Sequence, residues 1–425
     1  MRVLVITRAP WRNDNNTGNT LTNFFGQAQD VEFWNLYFRD QSPQNDIATK
    51  SFSISEAQLV RNLLRGTPVG RLVDAEKAVE SSHEETVYKQ AKNISGTLLM
   101  LVREVLWKVG RWKSENLKDF LGKEKIDIIY MPVFNCFYPH RVLQFVQEQT
   151  GAKIVLFHAD DNYTLKQYSL SPLYWLYRLN LRKWVRRSVA RSSLNYAISN
   201  MQKEEYEKSL NKPFKLLTKG ADFEGTPPVK SHYNSPLQIV FTGNVGMNRW
   251  KSLSLITDAL EEINKDGVLA QLRIYTATSI TRKMHRALHR GESSYIMGKI
   301  PASEVSKIQE NADMLVHVEA FDLKNKLSVR QSFSTKLVDY FAAARPVLAI
   351  GPKDVASIDH LIQNACAIVA DSKEELTEKL QAVLGNKEAL DRLAKQAYHC
   401  GRTHHNKEIT QQMLMHDIHQ IGKKH

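Results

Sequence analysis

Cysteine is scarce in this sequence. Its 425 residues include three cysteines, Cys136, Cys366 and Cys400, which are widely separated and form no C-x-x-C pair. An odd number of scattered cysteines argues against a disulfide framework and against a cysteine-ligated zinc site. We therefore expect a reduced, cytoplasmic protein.

Long hydrophobic runs are missing as well. No apolar run reaches the roughly 18 to 20 residues that span a bilayer. Residues 1–7 lack the apolar region and the cleavage site of a secretory signal. With 42% hydrophobic and 24% charged residues, the composition is typical of a globular protein, which excludes disordered and fibrous architectures.

Several catalytic signatures are also absent. The sequence contains no G-x-x-x-x-G-K-[ST] loop, no H-E-x-x-H and no G-x-S-x-G. It also has no carboxylate pair that resembles a D-x-D metal site. We therefore expect no metal ion in the site.

Acidic residues are outnumbered. The 58 Lys and Arg and 45 Asp and Glu give a net charge of +13, which favours a polyanionic partner: nucleic acid, an anionic membrane or a phosphorylated substrate. Residues 165–193 contain seven cations, five Tyr or Trp and no acidic residue. A basic, aromatic helix of this kind suits the headgroup layer of an anionic bilayer. The alternative, a solvated face with its aromatics in the core, stays open. No nucleic-acid-binding motif is present, so we expect no nucleic-acid partner.

Short apolar runs alternate with helical patterns along the chain. Residues 2–7, 126–131 and 153–157 are typical of buried parallel strands, and 141–149 is typical of a helix between them. Further strands are predicted at 194–199, 214–217, 237–242, 272–275, 295–297, 314–318 and 346–350. Further helices are predicted at 252–264, 303–311, 335–344, 408–421 and most of 373–397. The rhythm predicts an α/β protein with parallel sheets.

A proline-rich segment divides this rhythm in two. Residues 223–236 carry three prolines and little hydrophobic pattern, as interdomain linkers do. We predict a first α/β domain at 1–222, the linker at 223–236 and a second α/β domain at 237–400. Residues 401–425 are left as a final helical segment.

The most informative motif is the segment 331–347, QSFSTKLVDYFAAARPV. It predicts a polar loop, a short helix and a proline-led strand. Ser334 or Thr335 would cap the helix, and its free N–H groups together with Lys336 would bind an anion such as a diphosphate.

The segment resembles the E-x7-E region of retaining GT-B glycosyltransferases, with the pattern E-G-F-G-x-x-x-x-E-A-x-A-x-G-x-P-V. The positions of that pattern are taken in order by Gln331, Phe333, Ser334, Asp339, Ala344 and 345–347. The resemblance assigns the contact with the donor sugar to Gln331, and Glu319 at the end of the preceding strand is the alternative carboxylate.

Other landmarks of the same family follow in order. Residues 241–249 resemble the strand and turn that open the donor domain, with Gly243 in the turn, Asn244 at the first cation position and Arg249 at the second. A guanidinium can bind phosphate oxygens with two donors. Gly18 occupies the family's loop near the donor phosphates, where only glycine permits close backbone approach.

The strand at 153–157 leads to the last two candidates. It resembles the family's strand that ends in a histidine, here His158, and the carboxyl ends of parallel strands are where such sheets bind ligands. Asp160 or Asp161 would orient His158 or receive an acceptor hydroxyl; the alternative is an Asp pair that caps the next helix, which we favour for Asp161.

The resemblance implies a GT-B fold, in which two Rossmann-like domains face each other across a cleft and the C-terminal helix packs back on the first. It implies a metal-independent, retaining transfer from a UDP- or GDP-sugar to a glycan or lipid-linked acceptor in cell-surface glycan synthesis, with no cofactor. The protein would be cytoplasmic, with peripheral binding to the cell membrane as an open alternative. A sugar-nucleotide epimerase and a non-catalytic polyanion-binding protein are the alternative functions.

Overall fold

The computed structural model describes residues 1–73 and 96–423. Residues 74–95, within the predicted first domain, and 424–425, at the end of the predicted last segment, lie outside it. The chain divides into two compact units. The first comprises Met1–Leu217 and Ile409–His425, and the second comprises Thr218–Glu408.

The first unit is built on an eight-stranded sheet of order β4-β3-β2-β1-β5-β6-β7-β8. The strands are β1 (Arg2–Thr7), β2 (Glu32–Tyr37), β3 (Ala48–Ser53), β4 (Arg71–Val73), β5 (Ile128–Pro132), β6 (Lys153–His158), β7 (Leu194–Ala197) and β8 (Lys215–Leu216). The described pairings are parallel except that of β4 with β3. The helices that belong with them are α1 (Asn16–Phe25), α2 (Glu56–Arg65), α3 (Gly96–Val109), α4 (Glu115–Gly122), α5 (Tyr138–Thr150), α6 (Pro172–Arg191) and α7 (Asn200–Leu210).

The second unit is built on a six-stranded parallel sheet of order β11-β10-β9-β12-β13-β14. The strands are β9 (Leu237–Thr242), β10 (Ala270–Tyr275), β11 (Ser294–Gly298), β12 (Met314–Val318), β13 (Val347–Ile350) and β14 (Ile368–Ala370). The helices are α8 (Arg249–Ile263), α9 (Arg282–Leu288), α10 (Ala302–Asn311), α11 (Leu323–Val329), α12 (Lys336–Ala342), α13 (Ala356–Gln363), α14 (Lys373–Gln381) and α15 (Lys387–His404). The α/β prediction with parallel sheets is confirmed.

Each sheet lies in its own hydrophobic core. Around β1 in the first unit, Leu4 and Ile6 pack in a cluster with Trp34 and Trp107, while the corresponding cluster of the second unit contains Ile239 from β9. Parallel strands covered on both faces carry nearly continuous apolar sequences. This is why β1, β6, β9 and β12 are readable from the sequence.

The strands β2, β3, β4 and β14 were not predicted. Asn35 interrupts the apolar run of β2, yet it is fully buried. Its amide donates to the carbonyl of Val5 and to the Thr7 hydroxyl, each at 3.0 Å, and its oxygen accepts the N–H of Trp11 at 3.0 Å. The tertiary partners therefore offset the burial of a polar side chain inside a strand.

The proline-rich segment 223–236 lies within the second unit. Phe223 packs edge-on against Tyr398 with ring centroids 5.2 Å apart, and Lys230 forms a 2.5 Å ion pair with the fully buried Asp313. These contacts hold the segment against the body of that unit.

The final helix α16 (Lys407–Lys423) falls almost wholly in the first unit. Its Asp417 accepts a hydrogen bond from the buried Tyr196 hydroxyl at 2.8 Å and pairs with Lys215 at 2.6 Å. The carboxylate thus joins α16 to β7 and β8.

The basic stretch 165–193 contains α6, and several of its cations have protein partners. Arg178 is buried and its guanidinium contacts Asp161 at 2.9 Å. Arg182 donates to the carbonyl of Tyr163 at 3.1 Å, and Lys166 pairs with Glu205 at 2.6 Å. Arg178 therefore faces the core and is not part of an exposed basic surface.

No helix within residues 1–73 and 96–423 is both long enough and apolar enough to span a membrane.

Candidate active site

Lys336 is the centre of the candidate site in the second unit. It is the first residue of α12, and its ammonium donates to the carbonyl of Thr242, at the end of β9, over 2.9 Å. A Cβ on the next residue, Gly243, would collide with Lys336 Nζ. A side chain at position 243 would therefore displace the Lys336 ammonium from its present place.

A second cation lies at the start of α8. Arg249 donates through Nε and Nη2 to the same carboxylate oxygen of Glu319, at 3.2 and 3.0 Å. Glu319 directly follows β12, and its other oxygen lies 3.5 Å from His317 Nε2. Two residues proposed separately from the sequence, Arg249 and Glu319, are therefore partners.

Burial shifts the pKa values of this group. It raises the pKa of Glu319, and the nearby cations Arg249 and Lys336 oppose that shift. It lowers the pKa of Lys336, which the Arg249 charge lowers further. Burial together with the same two cations lowers the pKa of His317 to about 3. At neutral pH His317 is therefore uncharged, and its contact with Glu319 is not an ion pair.

A cavity of about 470 Å³ opens beside Lys336. It lies at the carboxyl ends of β9, β10 and β11, the edge at which open parallel sheets bind ligands. The residues that line it include Gly243, Asn244, Tyr275, Thr276, Lys299, Gln309, Lys336 and Asp339. Two lysines and several neutral polar groups thus share one cavity with apolar walls.

Asn244 and Asp339 shape the walls of this cavity. The Asn244 side-chain oxygen accepts the N–H of Gly246 at 2.6 Å and the Thr278 hydroxyl at 3.1 Å. Asp339 accepts from Lys219 at 3.0 Å. Both side chains are therefore held by partners within the second unit.

The remaining residues of the 331–347 motif lie around α12. Thr335 occupies the N-cap position but makes no side-chain capping bond, so the prediction that it caps the helix is wrong. The backbone N–H of Ser334 instead donates to the Ser357 hydroxyl at 3.0 Å. Gln331 is fully buried, and Phe333 stacks on His405 with centroids 4.9 Å apart.

The end of the motif is structural. Ala344 stands where the family has glycine, and its φ of 48° lies in the left-handed region that favours glycine. Arg345 then donates to the carbonyls of Pro228 at 2.8 Å and Glu310 at 2.9 Å. These bonds tie the segment 223–236 to the helix that precedes β12.

His158 and Asp160 lie in the first unit. His158 is fully buried, with Tyr206 and Phe214 rings 5.2 and 5.4 Å away. Neither ring nitrogen has a hydrogen-bond partner within the described part of the chain. Burial and the nearby His140 lower the pKa of His158 to about 3. Asp160 is exposed on the loop after β6.

Asp161 is a structural residue. Its carboxylate accepts the backbone N–H groups of Tyr163 at 3.0 Å and Thr164 at 2.8 Å, and it pairs with Arg178. The next helix, α6, begins eleven residues later with Ser171 as its cap. Asp161 thus stabilises a turn and does not cap the next helix.

Gly18 lies inside α1, where its N–H donates to the Asn15 side chain at 2.8 Å. A Cβ here would collide with the backbone of Arg12. The close approach that requires glycine is therefore made by the chain itself.

Several site residues were not identified from the sequence. Lys219 reaches Asp339 across 120 positions, a separation that no local pattern encodes. Tyr275 and Thr276 could have been found, because Tyr275 ends a predicted strand and Thr276 directly follows it, at the ligand-binding edge of the sheet.

Two Rossmann-like units with largely parallel sheets form the two-domain architecture of the GT-B fold. Residues 255–415 match the family described as glycosyl transferase-like. No curated protein sequence matches the chain.

Solved structures agree on the fold over the whole chain. HepE from Anabaena, crystallised with UDP, superposes with a TM-score of 0.62 at 11% identity and covers 99% of this chain and 100% of its own. Sucrose-phosphate synthase from Thermosynechococcus elongatus gives 0.63 at 12% identity, with 99% and 98% covered. A glycosyltransferase from Rickettsia africae gives 0.60 at 11% identity, with both chains fully covered. The resemblance to GT-B glycosyltransferases is confirmed.

Proposed function

We propose that the protein is a retaining glycosyltransferase that moves a sugar from a UDP- or GDP-sugar to a glycan or lipid-linked acceptor. The second unit would hold the donor and the first unit the acceptor. The observation that carries this proposal is the placement of Lys336 beside Gly243 in the lining of the 470 Å³ cavity. HepE, which shares the fold, was crystallised with UDP, with UDP and glucose, and with UDP-glucose.

The chemistry expected of the site follows from its charges. A sugar leaves a nucleotide as negative charge builds up on the diphosphate, and fixed cations stabilise that charge best where water is excluded. Lys336 is already partly desolvated, and Arg249 lies close enough for its charge to lower the pKa of Lys336 further. Together they would replace a metal ion as the positive charge beside the leaving group.

Retention of the anomeric configuration requires that the acceptor attack from the face that the diphosphate leaves. A phosphate oxygen would take the acceptor proton as the new bond forms. Gln331 can only hydrogen-bond sugar hydroxyls, because its side chain is neutral. Glu319 is the carboxylate nearest to Arg249, and it is the second candidate for the sugar contact. His158 and Asp160 remain the first unit's candidates for acceptor and sugar contacts.

Nucleotide binding is the first test. Calorimetry with UDP, GDP, CMP and ADP should show one preferred nucleoside diphosphate. Lys336→Met should weaken that binding about 10- to 100-fold, because a charge-assisted contact contributes about 1.5 to 3 kcal/mol. Lys353→Met is the matched control, since Lys353 forms an exposed ion pair with Asp371 in the same unit. Equal affinities of the two variants would refute the donor site.

Product analysis separates the alternatives. A retaining transferase keeps the donor's anomeric configuration in the product, which NMR of the glycosidic linkage reports, and we expect activity to persist in EDTA. An epimerase would change the sugar of the donor without any acceptor. A protein that only binds polyanions would show no nucleotide preference in the calorimetric panel.

A further inference from the structure

A second cavity, of about 640 Å³, lies in the helical layer of the first unit. It is formed by the end of α3, the following residues 110–113, α5 and α6. Three tryptophans, Trp107, Trp112 and Trp184, and Phe145 line it. The donor site does not use any of these residues, which lie in a different unit.

The rim of this cavity is cationic. Lys108, Arg111 and Lys113 are exposed around it, and Lys113 lies over the rings of Trp112 and Phe145 at 5.4 and 5.1 Å. The acidic residue in the lining, Glu148, lies 3.5 Å from Arg191. The rim therefore keeps a positive excess.

The indole N–H of Trp107 is a further polar group at this place. Trp107 is fully buried and stacks on Tyr138 with centroids 4.4 Å apart. Its Nε1 has no hydrogen-bond partner in the part of the chain that the structure describes. A buried donor without a partner is costly, so this N–H is a polar group beneath the aromatic wall of the cavity.

Exposed apolar residues lie on the two helices that contribute to the cavity. On α3 they recur at helical spacing, at Leu98, Val102, Val105 and Val109, with exposures of 45 to 58%. On α6 the corresponding residues are Leu173, Leu176 and Leu179, with exposures of 43 to 61%. The helices α3 and α6 pack against each other, so both sets of exposed residues lie on one pair of packed helices. Exposed apolar residues concentrated in this way are typical of an interaction surface.

Basic residues follow the exposed leucines along α6. Lys183 and Arg186 are exposed, and Arg187 lies 5.2 Å from the Trp184 ring. The α6 sequence contains no acidic residue. An apolar face bordered by lysine, arginine and tryptophan matches the layers of an anionic bilayer, in which acyl chains lie beneath phosphate headgroups.

We propose that this face, formed by α3, residues 110–113 and α6, docks on an anionic phospholipid bilayer. The valines and leucines enter the outer acyl region, and the tryptophan-lined cavity receives the phosphate headgroup of one lipid. The attraction weakens with salt, because the rim cations lie at the surface. This docking does not depend on the donor site in the second unit.

Vesicle flotation of the full chain tests the proposal. Binding should be strong to phosphatidylcholine vesicles that contain phosphatidylglycerol, weaker in high salt, and weak to phosphatidylcholine alone. The combined variant Lys108→Gln, Arg111→Gln, Lys113→Gln should bind anionic vesicles at least about tenfold more weakly. The control variant Lys123→Gln, Lys153→Gln, Lys208→Gln removes the same charge from exposed positions of the same unit, and it should bind nearly as well as the unaltered chain.

Two further experiments separate the contribution of the exposed apolar residues from that of the phosphate headgroup. The pair Val102→Asn and Leu176→Asn should also release the protein from anionic vesicles, whereas Leu269→Asn, at an exposed leucine of the second unit, should not. Glycerol phosphate should compete poorly, because it supplies the headgroup without the acyl layer. Equal binding by the rim and control variants overturns the docking face. Full competition by glycerol phosphate also overturns it, because the cavity would then hold a soluble phosphate compound.

Discussion

Arg249 keeps its guanidinium on Glu319 through two donors. A diphosphate bound at the site would share the Arg249 guanidinium with Glu319. This is chemically feasible because the guanidinium has further N–H groups that can donate. The carboxylate fixes the orientation of the guanidinium before any ligand is present. Pre-orientation of this kind lowers the entropy that binding must overcome.

Replacement of Arg249 tests its role. Arg249→Ala should weaken binding of the preferred nucleoside diphosphate about 10- to 100-fold, because a contact with an ionised phosphate contributes about 1.5 to 3 kcal/mol. Arg249→Lys keeps the charge but loses the planar fork, so it should recover only part of the affinity. Calorimetry gives the values, and circular dichroism verifies the fold. Unchanged affinity in a folded Arg249→Ala variant would remove this residue from the donor site.

Gly243 shows why some site residues could be predicted and others could not. Gly243 and Lys336 each lie in a short sequence motif that can be recognised without knowledge of the fold. The pairing of Arg249 with Glu319 spans 70 positions and that of Lys219 with Asp339 spans 120. Contacts over such distances depend on how strands are ordered in the sheet, which a single sequence does not specify.

At the scale of elements, α13 ends on a strained residue. Ala365 follows its last turn with a φ of 46°, and its side chain is exposed. A left-handed conformation costs a residue with a Cβ about 1 to 2 kcal/mol, whereas glycine adopts it freely. The exposed methyl group contributes little packing to offset that cost.

Ala365→Gly is therefore expected to raise the free energy of unfolding of the second unit by up to about 1 kcal/mol. Glu378→Gly is the control, because Glu378 is exposed within α14 and glycine there should lower stability by about 1 kcal/mol. Urea denaturation followed by circular dichroism measures both. A loss of stability in Ala365→Gly would show that the helix end is not strained.

How well a strand can be predicted from the sequence depends on how fully its two faces are buried. Strands such as β1 and β9 have apolar sequences because both of their faces are covered, and their bounds were predicted correctly. The sequence of β3, ATKSFS, is largely polar, and only its pairing with β2 makes it a strand. Residues 373–397 were expected to be mostly helical, and the structure divides this region between α14 and α15, separated by Gly385 with a φ of 74°.

At the scale of the whole molecule, buried histidines make stability depend on pH. Burial lowers the pKa values of His140 and His158 in the first unit, and of His317 in the second, to about 3. In the unfolded chain a histidine titrates near about 6.5. Between these values the unfolded state binds more protons, so stability falls as the pH drops from about 6.5 towards about 3.

Each of these histidines should therefore cost about 2 kcal/mol of stability at pH 5 relative to pH 8. His158→Phe should remove its share, because phenylalanine keeps an aromatic ring beside Tyr206 and Phe214 and does not titrate. Urea denaturation across this pH range measures the slopes for the unaltered chain and for the variant. Parallel slopes would mean that His158 is already solvated or charged in the folded protein.

The path of the chain through the two units has a consequence for biosynthesis. The first unit contains Met1–Leu217 and Ile409–His425, with the 191 residues of the second unit placed between them. At about 5 to 20 residues per second, a ribosome needs roughly 10 to 40 s to make that insert. During this interval the Tyr196 hydroxyl and Lys215 lack their partner, because Asp417 has not yet been synthesised. The second unit can thus fold its core while the final helix of the first unit is still unsynthesised. The unit whose synthesis begins first is therefore the last to complete its fold.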